Sequence, residues 1–293
     1  MSVYNMSPTV SAASSSTRWV QLGLGLVAMM SISSPQYVWT LFTKPLQTSL
    51  GVGLPATQIT FSLVIVLQTF FSPLQGYLVD KFGPRLLIAI GCLLSGAGWV
   101  ATSYVHSLTG LYLTYGLLCG LGTGIVYVGI VGLMVRWFPD RRGFATGMVA
   151  AGYGFGAILT TFPIDTMIKA SGYQHTLVVF GCILGVVGAV AALAMRMPTA
   201  DDALPAPAVM SSGKSVGPGE MIKTPVFWLM FVMMTMMSTG GLMIISQFAA
   251  VSRAFGVADV VWRGIASRPR ALSIDSSTNG ATRPFFGWVS HRI

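Results

Sequence analysis

The sequence predicts an all-α membrane protein: a first half of six transmembrane helices, then about two helices of a second half. Three observations predict it. Hydrophobic residues make up 53% of the 293 residues and charged residues only 9%, far below the roughly 25% charge of a soluble domain, and the mean hydropathy is +0.72. Apolar runs of about 20 residues, the length that crosses a hydrocarbon core ~30 Å thick, recur along the chain. The basic residues behind the net charge of +9 stand between those runs, not in one patch interleaved with aromatics, which argues against a nucleic-acid partner.

In order, residues 1–18 are polar and Ser-rich, with Arg18 at their end, and read as a cytoplasmic tail. Apolar runs bounded by Gly, Pro or charge place spans near Trp19–Leu41, Gln58–Val79, Leu86–Val105, Leu108–Val135, Phe144–Ile168 and Tyr173–Met195, so that residues 19–197 form a six-helix half. Residues 198–224, with Pro198, Asp201, Asp202, Pro205, Pro207, Lys214, Pro218 and Glu220, read as a flexible cytoplasmic linker. Residues 225–293 then form an incomplete second half of about two spans, of which Phe227–Ala250 is the seventh overall.

The eighth is anomalous, because Arg263, Arg268, Arg270 and Asp275 crowd it. Three central arginines would cost roughly 7 to 10 kcal/mol on insertion. The segment is either shielded by neighbours or damaged sequence.

With the amino terminus inside, Arg18, Lys81, Arg85, Arg136, Arg141, Arg142, Arg196, Lys214 and Lys223 face the cytoplasm, and only Lys44 and Lys169 face out, as far as the seventh span. That asymmetry follows the positive-inside rule. The expected location is the inner membrane, crossed several times. Cys92, Cys119 and Cys182 all fall in apolar runs with no CxxC spacing or nearby His cluster, so neither a disulfide nor a metal site is expected. No nucleophile or nucleotide motif is visible, so the chain is read as a non-enzyme without a cofactor.

The most specific motif is GYLVDKFGPR between the second and third spans, with Gly76, Asp80, Lys81, Gly83 and Arg85. Glycines permit a tight turn between close helices, and Asp80 with the basic pair Lys81 and Arg85 can form a charge latch on the cytoplasmic side. The plainer reading makes Lys81 and Arg85 positive-inside anchors. The motif resembles the signature loop of the major facilitator superfamily. A second copy, GWVSHRI, puts Gly287 and Arg292 in the places of Gly76 and Lys81, with His291 where Asp is expected. Gly116, Gly120 and Gly124 in the fourth span read as close helix packing. No Lys or Arg lies between Tyr104 and Val135, unlike the superfamily's proton-driven drug exporters.

RWFPDRRGFATG (Arg136–Gly147), SPQYVWTLF (Ser34–Phe42) and NGATRPFFGWVS (Asn279–Ser290) together resemble the oxalate/formate exchangers of that superfamily. The chain resembles a carboxyl-terminally truncated member. The resemblance implies secondary active exchange of small carboxylates, oxalate for formate, by alternating access in a monomer embedded in the bilayer. It implies that Arg283 binds substrate, assisted by Gln36, Tyr37, Tyr127 and Tyr153.

The chemistry agrees, since an anion stripped of water needs a fixed cation and hydrogen-bond donors, and a guanidinium fork suits a planar carboxylate. Taken singly, Arg283 also suits a snorkelling anchor, and each tyrosine an interfacial or core aromatic. The alternatives carried forward are a non-transporting fragment of such a carrier, and a symporter for another mono- or dicarboxylate.

Overall fold

The computed structural model describes residues 12–199, 202, 204–205 and 218–254, and every span treated below lies or begins in the first of two compact units, 1–246 and 247–293. Among the described residues all regular structure is helical. The first span is a broken rod, α1 (Ala12–Ser31), α2 (Ser34–Tyr37) and α3 (Trp39–Leu50); the second is α4 (Leu54–Phe70) with α5 (Ser72–Phe82); the third is α6 (Pro84–Thr102). The fourth joins α7 (Leu108–Leu111), a π-helical stretch Tyr112–Cys119 and α8 (Gly120–Trp137). Then come α9 (Arg142–Ala194), the short α10 (Pro218–Met221) and α11 (Pro225–Ala254).

The third span, the fourth span and α9 are long and apolar enough to cross a membrane, and α4 with α5 makes a fourth such rod, bent by 55°. The 53 residues of α9 would extend about 80 Å at 1.5 Å per residue, too long for one crossing. Gly172, at φ 82° and ψ 166°, divides it into two rods, 142–171 and 173–194. A side chain at that φ would be strained, so the reversal falls on glycine.

Two spans expected to be continuous are broken, for the same reason. Pro35 and Pro73 have no N–H to donate to the preceding turn. Nearby hydroxyls take up the loosened carbonyls: Ser33 Oγ donates to the Met30 carbonyl at 2.9 Å, and Ser72 Oγ to those of Gln68 and Thr69 at 3.0 and 2.7 Å. The freed Pro35 carbonyl accepts from the Tyr115 hydroxyl at 2.8 Å, which fixes the first break against the fourth span.

Lipid is as apolar as leucine, so helices in a bilayer associate through close fit. Here α6 meets α9 where a Cβ on Gly96 would stand 2.5 Å from the Gly181 carbonyl oxygen and 2.9 Å from Gly185 Cα. It meets the fourth span where one on Gly122 would stand 2.7 Å from the Gly91 oxygen. Two buried clusters result, one containing Leu22, Met29, Trp137, Phe138 and Ala192 and the other Trp39, Phe42, Trp99, Tyr115 and Leu177. The break at Ser33 to Val38 falls between them. By contrast, no residue between 226 and 241 whose side chain is described is buried.

Candidate functional site

Tyr153 stands at the centre of the constellation that the sequence singles out. Its ring meets Tyr37 edge-on at a centroid distance of 5.4 Å and Tyr127 at 5.6 Å. Its hydroxyl donates to Gln36 Oε1 at 2.8 Å. Three spans therefore deliver four predicted residues to one place: the first through its break, the fourth through α8 and the fifth through the first rod of α9. Gln36 and Tyr153 are buried, and Tyr37 and Tyr127 are half-buried.

Depth follows from helix geometry. Tyr127 lies nine residues before Arg136, and Tyr153 eleven after Arg142, roughly 14 to 17 Å at 1.5 Å per residue. That is about midway through a ~30 Å core. The surroundings hold no formal charge: there is no Asp, Glu, Lys or Arg in residues 19–43, 45–79, 86–135, 143–164 or 170–195. The described half offers a ligand only neutral hydroxyls, amides and aromatic faces. Arg283, the predicted counter-charge, lies outside the described residues, as do Gly287, His291 and Arg292.

Sequence reasoning missed one buried polar group. Gln68, on α4, has its side-chain Oε1 buried with no hydrogen-bond partner. The signal available was an isolated amide in the apolar run LVIVLQTF, just ahead of a Ser-Pro break.

At one end of the bundle the basic residues gather. Arg18 pairs with Asp140 at 3.2 Å, Arg136 with Asp80 at 2.7 Å, and Arg196 with Asp202 at 2.6 Å. Gly83, at φ 86°, makes the turn from α5 to α6 and Gly76 packs its α-carbon face near Val128. The partner of Asp80 differs from expectation. It is Arg136 at the end of the fourth span, and among the described residues neither Lys81 nor Arg85 makes an ion pair. Lys81 instead lies 5.8 Å from the Tyr77 ring centroid and 5.6 Å from that of Phe82. An aspartate on this loop meets the nearest guanidinium in space, and local spacing does not reveal a partner 56 residues away.

The start of the segment expected to be a flexible linker is also tied down. Asp202 is 7% exposed and accepts both guanidinium nitrogens of Arg196, at 2.6 and 2.8 Å, and the Thr199 N–H at 2.7 Å. The Arg196 guanidinium, with the Thr199 N–H, holds this carboxyl well below the usual carboxylate range. Arg196 is itself anchored, its N–H donating to Gln21 at 3.0 Å and its carbonyl accepting from the Trp137 indole at 2.9 Å.

The opposite end is joined by neutral bonds, Tyr173 to Ser49 at 2.8 Å and Tyr112 to the Ala56 carbonyl at 2.9 Å. The ion pair there, Lys169 with Asp165 at 2.6 Å, lies within a single helix. His106 and His175 share an open depression of about 340 Å³ there.

A model of one family, described as Major Facilitator Superfamily, matches residues 22–293. The chain is similar to the oxalate:formate antiporter of Oxalobacter formigenes, 36% identical over 277 residues, which is 94% of this chain and 64% of that protein. It is 24% identical over 277 residues to the uncharacterized MFS-type transporter YhjX of Escherichia coli, covering 94% of this chain and 67% of that one. It is 31% identical to human monocarboxylate transporter 14 over 131 residues, 45% of this chain and 25% of that protein. The chain thus spans just under two thirds of the length of the antiporter.

Proposed function

The chain belongs to the major facilitator superfamily, and from that premise we propose that it is a secondary active transporter exchanging small carboxylates, oxalate for formate, by alternating access across the inner membrane. The observation that carries this reading is the uncharged cage of Gln36, Tyr37, Tyr127 and Tyr153 at mid-membrane depth. Hydroxyl and amide groups supply donors to carboxylate oxygens, and aromatic faces exclude water so that those bonds are strong. A cage of neutral donors needs a cation to hold an anion away from water, and Arg283 is that cation in this reading.

In the proposed cycle the halves rock about the site. An empty cavity with an unneutralised guanidinium reorients poorly, so an anion travels in each direction. The loop of Gly76, Asp80, Lys81, Gly83 and Arg85 gates the cytoplasmic side. There Asp80 gives up Arg136 as the face opens. The clustering of ion pairs at one end supports an amino terminus on the cytoplasmic side.

The test is oxalate uptake into proteoliposomes, preloaded with formate or left empty, for the protein and for Arg283→Ala. Uptake that requires internal formate and is lost in the variant is the expected result. Uptake into empty vesicles driven by a proton gradient would replace exchange with symport. No uptake from protein shown to be folded would remove the transport reading.

A further inference from the structure

The first span carries Gln36 and Tyr37 on its shortest piece. Pro35 denies the preceding turn an N–H, and α2 is a single four-residue turn, Ser34–Tyr37, far below the length at which a helix holds itself. Where those two side chains point therefore depends on what grips the turn from outside.

Two bonds from other spans grip it, both just ahead of Gln36. The Tyr115 hydroxyl, in the π-helical stretch of the fourth span, donates to the Pro35 carbonyl at 2.8 Å. Tyr115 is fully buried, and its ring lies 4.8 Å from that of Trp39, just beyond the turn. On the fifth span, Thr160 Oγ1 stands 3.0 Å from Ser34 Oγ. Thr160 gives its one proton to the Gly156 carbonyl at 2.9 Å, which leaves Ser34 as the donor between the two hydroxyls. Gly156 itself lies so close to the first span that a Cβ there would stand 2.5 Å from the Met30 carbonyl oxygen.

The grips and the cage share their supports. Thr160 follows Tyr153 by seven residues, about two helical turns, and so lies on the same face of the fifth span. Tyr115 and Tyr127 both belong to the fourth. The spans that carry the cage rings thus also hold the turn from which Gln36 and Tyr37 meet Tyr153.

We propose that Tyr115 and Thr160 are positioning residues of the carboxylate site, holding the broken turn in the setting from which Gln36 and Tyr37 meet an anion, a role that rests on the carboxylate reading given above. Neither touches the anion in this scheme. Releasing the turn lowers the fraction of molecules ready to bind, and the apparent affinity falls by the same factor.

The experiment measures formate-driven oxalate uptake in proteoliposomes, and melting temperature in detergent with and without oxalate, for the unaltered protein, Tyr115→Phe, Thr160→Val and Tyr112→Phe. The first two variants keep the side chain's shape and remove the bond. Tyr112→Phe is the control, because that hydroxyl also donates from the π-helical stretch to a neighbouring carbonyl, Ala56 at 2.9 Å, away from the turn. In Tyr115→Phe and in Thr160→Val, KM rises about fivefold, the effect of one lost neutral hydrogen bond, with kcat kept and the oxalate-induced melting shift reduced. Tyr112→Phe matches the unaltered protein in KM.

Unchanged KM in both variants, or a fall in kcat alone, would overturn the positioning role and leave the carboxylate reading intact. An equal rise in KM in Tyr112→Phe would also overturn it, reducing the effect to general loosening of the bundle. A rise confined to one variant removes the role of the other residue, and if Tyr115→Phe fails to fold, Thr160→Val decides alone by the same readings. Neither uptake nor a melting shift in the unaltered protein would overturn the reading and the inference together.

Discussion

The end of the bundle that holds Arg18, Asp80, Arg136 and Asp140 joins its spans by charge, and there the Arg196–Asp202 pair ties down the segment that follows the sixth span. The interior joins the same spans by backbone contact at glycine and by bonds among neutral groups. The two regions answer to different solvents. At the surface water and headgroups solvate a charge, so an ion pair can be kept or lost cheaply. In the interior a charge is costly and lipid gives helices no hydrophobic reason to meet, which leaves close fit as the cohesive force.

The interior should therefore be the intolerant region. Gly96→Val would drive a side chain into the Gly181 carbonyl and Gly185 Cα, backbone atoms that cannot turn aside. The expected loss reaches or exceeds the ~3 kcal/mol upper range for overpacked cores, read as lost monodisperse yield and a lower melting temperature. Gly154→Ala is the control, since a Cβ there meets nothing within 4 Å, and it should melt normally. Equal behaviour of the two would mean that glycine contact does not hold α6 to α9.

At the charged end, Asp202→Asn should have the intermediate effect. The carboxyl is held below its ordinary range by Arg196 and Thr199, so its contribution is complete above the ordinary carboxylate value and is lost as pH falls through the lower, folded one. The variant should be cut faster by trypsin after Arg196 at pH 7. Its melting deficit should stay constant from about pH 8 to 5 and shrink below about pH 4, near the unfolded value. A deficit that shrinks on going to alkaline pH would refute that sign.

The smallest effect belongs to Asp80→Asn. The pair with Arg136 is exposed on both sides, 64% and 43%, and should be worth at most about 1 kcal/mol, erased by salt. A larger, salt-resistant loss would make this loop a structural tie instead of the movable contact proposed for it.

Much of this contrast can be read in the sequence, because the bilayer forces it there. Apolar runs and the spacing of arginines reveal the spans and the charged end, and the resemblance to the exchangers points to Gln36, Tyr37, Tyr127 and Tyr153, which the fold brings together. What was not legible depends on distance in space. The 55° bend was hidden, although Pro73 marks it, because proline in an apolar run tells where a helix is weak and not how far it turns. The pairing of Asp80 with Arg136 and the bond of Tyr153 to Gln36 join residues 56 and 117 positions apart, beyond any local pattern. Asp202 looked like linker because its composition is polar, yet four bonds to Arg196 and Thr199 hold it.

The uncharged interior also has an electrical consequence. Moving one elementary charge across a membrane held at 100 mV involves about 2.3 kcal/mol. Residues 19–43, 45–79, 86–135, 143–164 and 170–195 carry no Asp, Glu, Lys or Arg through that field; Lys44 stands in α3 of the first span, and Asp165 pairs with Lys169 within its own helix. Rocking of this half therefore carries few of its own charges through the field. The current accompanying a turnover is then mainly that of the bound anion and of whatever cation faces it, so an exchange of a divalent for a monovalent anion would generate a membrane potential little diluted by movement of this half's own charges.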